Sequence, residues 1–154
     1  MTTSSDQFTD LFCTALPLGL RDEAAGMTAR DAFTRYSHAT GPLRLGNWRY
    51  RGRAGRGPQV FSYQATIADG DRVATSAVTA SGPVGALTAM LHERGIAVEM
   101  LKFHQLRSGA HTATFIRGAD GSRELWAMGW SEDPTDSALR AIIACANRLA
   151  EAAA

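Results

Sequence analysis

Residues 125–148, LWAMGWSEDPTDSALRAIIACANR, contain the pattern that decides the fold of this chain. The segment begins with an apolar run typical of a β-strand, passes through an Asp133-Pro134 turn, and ends in an amphipathic helix. The same order occurs earlier, where residues 73–80 are followed by Ser81-Gly82-Pro83 and a second helical stretch. The prolines of the two segments lie 51 positions apart. The pattern therefore indicates a duplicated structural unit.

The remaining periodicity completes each unit with two further strands. Alternating apolar residues and the tight-turn signal Asp69-Gly70 predict consecutive antiparallel strands ahead of each helix. The predicted strands are residues 43–50, 60–67, 73–80, 98–105, 110–117 and 124–130, and the predicted helices are residues 84–94 and 135–150. We therefore predict an α+β fold of two β-β-β-α repeats with pseudo-twofold symmetry, in which helices cover antiparallel sheets.

The N-terminal residues predict short helices outside the repeats. Apolar residues between positions 8 and 16 have helical spacing, and Pro17 and Gly19 are expected to end that helix. Thr28 is a candidate N-cap for a second helix over residues 29–36. We expect a helical extension at residues 1–40 and a regulatory-type domain at residues 41–154, divided into repeats at 41–95 and 96–154.

Composition argues against several classes of partner. Sixteen Lys and Arg residues against fifteen Asp and Glu give a net charge of +1, so no global field attracts nucleic acid or an anionic membrane. A local cluster, Arg49, Arg51, Arg53 and Arg56, is interpreted as a solvated hairpin loop. The chain begins MTTSSDQ, without a basic n-region, and has no apolar run approaching the ~20 residues of a membrane helix. We expect a cytoplasmic protein with reduced thiols.

The motifs as a set resemble a known family. Leu125-Trp126-Ala127-Met128-Gly129, the later Ala146-Asn147-Arg148, and Gly41-Pro42-Leu43 are similar to the C-terminal regulatory (dimerisation) domain of 2-isopropylmalate synthase and citramalate synthase. The resemblance begins near Ala32. It implies a homodimer that binds a small amino or keto acid, leucine in the family, near the dimer interface, and a synthase as partner. Since a catalytic barrel takes about 250 residues, we expect a stand-alone regulatory copy.

The resemblance also implies which residues line the ligand pocket. In the first unit these are the residues of the turn and the start of the helix: Ala80, Ser81, Gly82, Pro83 and Ala86. In the second unit they lie on the first two strands: Phe103, Ala110, Thr112 and Thr114. The turn departs from the family pattern at Ala80 and Ser81, where the family has glycine and asparagine. Backbone N–H groups at a helix start of the Gly82-Pro83 type suit a carboxylate.

An alternative reading is a cofactor-free enzyme, of the cyclase, isomerase or dehydratase type, built in the former leucine pocket. Its candidate acid/base residues are His104 and His111, which would flank the pocket. Neither histidine has Cys or carboxylate neighbours at metal-ligand spacing, so we expect no metal, and neither interpretation needs a cofactor. The sequence leaves the regulatory and enzymatic alternatives open.

Overall fold

The computed structural model describes residues 4–38, 41–56 and 59–153. The elements, in chain order, are α1 (Ser4–Thr14), α2 (Leu18–Glu23), α3 (Ala29–Ser37), β1 (Leu43–Arg53), β2 (Phe61–Asp69), β3 (Arg72–Ala80), α4 (Pro83–Glu93), β4 (Glu99–Ser108), β5 (His111–Ala119), β6 (Glu124–Ser131) and α5 (Pro134–Ala153). The predicted α+β class with repeated β-β-β-α units is confirmed. No helix in these described ranges is long and apolar enough to span a membrane.

The strands form two separate antiparallel sheets with the same order. The first sheet is β1-β2-β3 and the second is β4-β5-β6. Both first strands carry a register shift, between Leu45 and Trp48 in β1 and between Met100 and Lys102 in β4. We call β1–β3 with α4 the first unit and β4–β6 with α5 the second unit.

One hydrophobic core joins the two units. Helices α4 and α5 contact each other and pack on one face of each sheet, which we call the inner face. The core includes Ile67 of the first sheet, Leu87 and Met90 of α4, and Ile116 of the second sheet, all fully buried. Burying aliphatic side chains of this size stabilises the fold by about 1.5–3 kcal/mol each.

The N-terminal helices cover the second sheet. Phe8, Leu20 and Tyr36 pack with Phe115 and Trp126 on the face opposite α5, which we call the outer face. The Tyr36 hydroxyl donates a 2.7 Å hydrogen bond to the Glu23 carboxylate. The pKa of Tyr36 is raised, and burial is the largest cause. Because these helices bury apolar residues of β5 and β6, they are an integral layer of the fold.

Helix α1 ends at Thr14, before Pro17, as the sequence predicts. The sequence prediction does not include α2, in which Pro17 is the N-cap and Gly19 lies inside the helix. A Cβ at Gly19 would lie 3.3 Å from Cζ2 of Trp126. Glycine at this position therefore lets α2 approach the indole closely, which outweighs its poor helix propensity.

The arginine cluster is a correction to the sequence prediction. Pairing of β1 with β2 continues to Arg53 opposite Phe61, so Arg49, Arg51 and Arg53 belong to a strand instead of a hairpin loop. All three arginines are exposed, as the sequence interpretation expected.

Two close backbone contacts explain the motifs that carry the resemblance. The buried Asn147 side chain accepts a 2.9 Å hydrogen bond from the Leu43 N–H and donates a 3.0 Å bond to the Leu43 carbonyl. A Cβ at Gly41 would overlap the Asn147 amide, and a Cβ at Gly129 would overlap the Ser137 carbonyl. The motif residues thus fasten β1 to α5 and allow α5 to lie directly on β6.

Candidate functional site

The first-unit residues of the implied pocket form the connection between β3 and α4. Ala80 ends β3 half-buried, Ser81 is exposed, and Gly82 is the N-cap of α4 with Pro83 as its first residue. Ala86 is fully buried in the core beneath the helix. Among the described residues, no side chain caps the start of α4, and the first turn of the helix contains no acidic residue. Its backbone N–H groups are therefore chemically suited to an anion.

An aromatic patch lies beside this turn, and the sequence analysis missed it. The patch consists of Trp48, Tyr50, Phe61 and Tyr63 on the inner face, with ring centroids 5.5–5.9 Å apart. Phe61 pairs in register with Ala80, which places the patch next to the turn. Tyr50 is 58% exposed. The i, i+2 spacing of aromatic residues on both strands is the signal that predicts such a patch.

The second-unit residues of the implied pocket are divided between an open strand and a closed one. Phe103 lies on the inner face of β4, opposite Ile116, and is 41% exposed because α5 packs on β5 and β6. Ala110 is an exposed turn residue, whereas Thr112 and Thr114 are buried. Phe103 is thus open to a ligand or a second protein surface, and the two threonines lie under the helix.

A chain of hydrogen bonds accounts for the buried threonines. Gln105 donates through Nε2 to the Thr114 hydroxyl (3.0 Å) and to the Pro134 carbonyl (2.8 Å). Thr114 and Ser137 hydroxyl oxygens are 2.7 Å apart, and the Ser137 hydroxyl donates to the Thr112 carbonyl at 2.8 Å. The Thr112 hydroxyl is buried, and no described residue hydrogen-bonds it. These polar groups anchor the first turn of α5 to the second sheet.

The two candidate histidines lie on the outer face of the second sheet, opposite from the threonines. His104 pairs with Phe115, and its ring centroid lies 6.4 Å from that of Trp126. The His111 ring stacks on Trp130 at 5.0 Å, and its Nδ1 lies 3.0 Å from Oε1 of Gln7. His111 and Phe115 are four residues apart along β5, which separates the two histidines by about 13 Å. The two imidazoles therefore lie at different positions along the outer face of the second sheet.

No group of His, Cys, Asp and Glu side chains suited to a metal ion occurs within residues 4–38, 41–56 and 59–153. Cys145 is buried against Gly118, and burial raises the pKa of its thiol to about 12. Because the thiolate is the nucleophilic form, Cys145 has the properties of a core residue.

The fold and its motif contacts define a class: a duplicated β-β-β-α module with an added layer of N-terminal helices. No family model matches the chain. The chain is 38% identical over 72 residues to the 2-isopropylmalate synthase of Renibacterium salmoninarum and 36% identical over 72 residues to that of Arthrobacter sp. strain FB24. It is 30% identical over 91 residues to the 2-isopropylmalate synthase of Clavibacter michiganensis subsp. michiganensis.

These matches cover 44%, 44% and 56% of this chain. They cover 12%, 12% and 16% of the respective relatives. The resemblance to 2-isopropylmalate synthases that the motifs predict is therefore confirmed. The similarity concerns a small part of each relative, so the activity of those whole proteins is not transferred to this chain.

Proposed function

We propose that this chain is a regulatory-type module that binds a small amino or keto acid near the interface of a homodimer. The observation that carries the proposal is the exposed apolar surface on the inner faces, namely Tyr50 of the aromatic patch and Phe103 on β4. The similarity to 2-isopropylmalate synthases supports the regulatory interpretation.

The exposed apolar residues support dimerisation. Phe103 and Leu101 of β4 are 41% and 43% exposed, and Tyr50 is more exposed still. Contiguous apolar surface of this kind marks an interaction site in a folded protein. A second copy that covers β4 and the aromatic patch would bury them, and a stable interface removes about 1,200–2,000 Å² from water.

The turn between β3 and α4 supports an acidic ligand. The N-terminus of α4 presents backbone N–H groups, and the aromatic patch beside it offers apolar surface for a hydrocarbon side chain. A carboxylate at the helix start with its side chain over the patch fits both features. A branched-chain amino acid or the corresponding 2-keto acid has this combination of groups.

The enzymatic alternative receives less support. A mechanism with His104 and His111 as an acid/base pair requires both imidazoles at one substrate, and the outer-face geometry separates them by about 13 Å. His111 is oriented by Gln7 and the stacked Trp130.

The similarity to synthases supports a synthase as partner. The two free thiols, Cys13 and Cys145, suit the cytoplasm, which we propose as the compartment.

A thermal-shift titration with leucine, isoleucine, valine and their 2-keto acids tests the proposal. A ligand bound by the native state raises the unfolding midpoint by mass action. We expect a concentration-dependent rise for the wild type that is reduced in Phe103→Lys, which places a charge on the inner face of β4. Leu18→Lys, at an exposed position of α2, is the matched control and should behave as wild type.

Two outcomes would contradict the proposal. The first is a flat midpoint for every ligand in the wild type. The second is an equal rise in the wild type and in Phe103→Lys, because a site at the dimer interface depends on that interface.

A further inference from the structure

A cleft lies where α3, β1, β6 and α5 meet, and of the surfaces assigned above to the interface it includes Trp48 of the aromatic patch and no residue of β4. Its volume is about 380 Å³, within the range of about 300–1,000 Å³ that small-molecule sites occupy. Both units and the N-terminal helices contribute to its walls. Its lining includes the aromatic residues Phe33, Trp48 and Trp130 and the charged residues Arg44, Asp136 and Arg140.

The apolar walls of the cleft are held in place by their neighbours. Trp130 packs edge-to-face with Phe33 at 6.2 Å and stacks on His111 at 5.0 Å. Trp48, on the other side of the cleft, contacts Tyr63 at 5.5 Å. Aromatic rings fixed by such contacts lose little conformational freedom when a ligand binds.

The polar side of the cleft carries both signs of charge. Arg140 Nε donates to the Asp136 carboxylate at 2.6 Å, and the pair lies along one side of α5. Arg44 lines the cleft from β1, where one guanidinium nitrogen donates to the Gly70 carbonyl at 3.2 Å. Two guanidinium groups and one carboxylate match a carboxylate and an ammonium group on one small molecule.

The charged pair is specific to the second unit. At the 51-residue repeat spacing, Asp136 and Arg140 correspond to Gly85 and Ala89 of α4, which carry no charge. Arg140 is exposed and Asp136 is half-buried, and neither belongs to the hydrophobic core, so apolar packing does not explain them. Their position at the mouth of an aromatic cleft points to recognition.

We propose that this cleft binds an α-amino acid with a large apolar side chain. The ligand carboxylate contacts Arg140 and Arg44, the ammonium group contacts Asp136, and the side chain lies between Trp48 and Trp130. Every contact comes from one chain. The cleft is therefore a second site, which shares Trp48 with the aromatic patch but includes no residue of β4 or of the Ala80–Pro83 turn.

Tryptophan fluorescence of the full chain responds to a ligand at this site, because Trp48 and Trp130 line the cleft while Trp126 is buried beneath the N-terminal helices. Trp48 also belongs to the aromatic patch, so variants are needed to locate the binding. Titration with L-phenylalanine and with L-leucine should give saturable changes in emission. The deaminated acid 3-phenylpropanoate lacks the ammonium group. It should bind at least about tenfold more weakly than L-phenylalanine, as expected for loss of one charge-assisted contact.

Two variants locate the binding. Arg140→Ala removes the carboxylate contact at an exposed position, and Ser37→Phe fills the cleft from the end of α3 without adding a tryptophan. Each should weaken L-phenylalanine binding by about tenfold or more. Arg123→Ala, in the exposed turn between β5 and β6, is the matched arginine control and should leave the dissociation constant unchanged.

The Phe103→Lys variant separates the cleft from the interface site. L-Phenylalanine binding should persist in Phe103→Lys, since no cleft residue lies on β4. The proposal is overturned if Phe103→Lys shows no saturable binding, if Arg140→Ala and Ser37→Phe both bind as wild type, or if 3-phenylpropanoate binds as tightly as L-phenylalanine. The first of these results would assign the signal to the interface site, and the other two do not bear on whether a ligand binds there.

Discussion

The outer faces of the two sheets differ although the sheets share one topology. At the 51-residue spacing, Phe115 and Met128 of the second sheet correspond to Gln64 and Ala77 of the first, and each pair is in register across its sheet. Phe115 and Met128 are buried beneath the N-terminal helices, whereas Gln64 is half-buried and Ala77 exposed. The strand pairing thus sets the architecture, while the alternating outward residues decide which sheet receives a covering layer.

On the inner faces, by contrast, the first sheet carries the larger side chains. Gly129, which permits direct contact between α5 and β6, corresponds to Val78 in the first unit, and buried Thr114 corresponds to aromatic Tyr63. The second unit is closed by backbone contact and hydroxyl hydrogen bonds. The first unit keeps larger side chains, part of which remain exposed in the aromatic patch. On their inner faces, β5 and β6 of the second unit are thus closed by packing, whereas the first unit and β4 present apolar surface.

Replacing Phe115 with glutamine, the residue of the first sheet, should have the largest effect. The change removes a fully buried ring beneath the N-terminal helices and buries an amide in its place. We expect the free energy of unfolding to fall by about 4 kcal/mol, measured by urea denaturation at fixed protein concentration. Gln64→Ala should change it by less than about 0.5 kcal/mol. Similar losses at the two positions would mean that the outer faces are energetically equivalent.

The inner-face difference is tested by Gly129→Val, which introduces the residue of the first unit. A Cβ at this position overlaps the Ser137 carbonyl, so α5 must move away from β6. We expect a loss of about 3 kcal/mol in the free energy of unfolding. Val78→Ala, the control in the half-buried first-unit position, should cost about 1 kcal/mol. A Gly129→Val protein as stable as wild type would show that α5 does not require backbone contact.

The connection between the units is tested by Asn147→Leu. The substitution leaves the buried Leu43 N–H and carbonyl without the partners that Asn147 provides. Two buried backbone groups without hydrogen bonds should reduce the free energy of unfolding by about 2 kcal/mol. Asn47→Leu, in the exposed part of β1, is expected to stay within about 0.5 kcal/mol of wild type in the same thermal or urea unfolding measurement. Equal effects of the two substitutions would mean that Asn147 does not contribute to the connection between the units.

The smallest effect at neutral pH concerns the thiols. Cys13 is exposed and Cys145 is buried, with the pKa of its thiol raised to about 12. A maleimide should modify Cys13 at once and Cys145 only when denaturant unfolds the chain. Mass spectrometry counts the additions, and Cys13→Ser is the control.

Because the pKa of the Cys145 thiol in the folded state lies above its ordinary value of 9.0, the stability that the neutral thiol contributes is complete below pH 9. It should be lost as the pH rises toward 12, and fast labelling of native Cys145 would contradict this arrangement.

Much of the fold was predictable because the repeat is encoded locally. Strand alternation, the Asp69-Gly70 turn and the two prolines at helix starts act over a few residues, and each has a direct structural counterpart. The N-terminal layer was less predictable. Its helix α2 depends on Gly19 fitting against Trp126, a contact between residues more than a hundred positions apart.

The candidate site was predictable only in part. The resemblance indicated the turn at Ala80–Pro83 and Phe103, and the structure leaves Phe103 and part of that turn accessible. Alternation along β5 already places His111 on the face opposite Thr112 and Thr114, whereas the face of His104 depends on the register between β4 and β5. The cleft lined by Trp48 and Trp130 brings together residues of both units and α3, so no short stretch of sequence contains it.

The proposed homodimer, in which a second copy of the chain covers the exposed inner-face residues, is tested most directly by the mass of the particle in solution. Light scattering after size-exclusion chromatography should give twice the chain mass of 16.5 kDa for the wild type and for Leu18→Lys. Phe103→Lys should shift toward the mass of one chain while its circular dichroism spectrum stays unchanged. A wild-type protein that remains a single chain at every concentration, or a Phe103→Lys variant that remains a full dimer, would contradict the account.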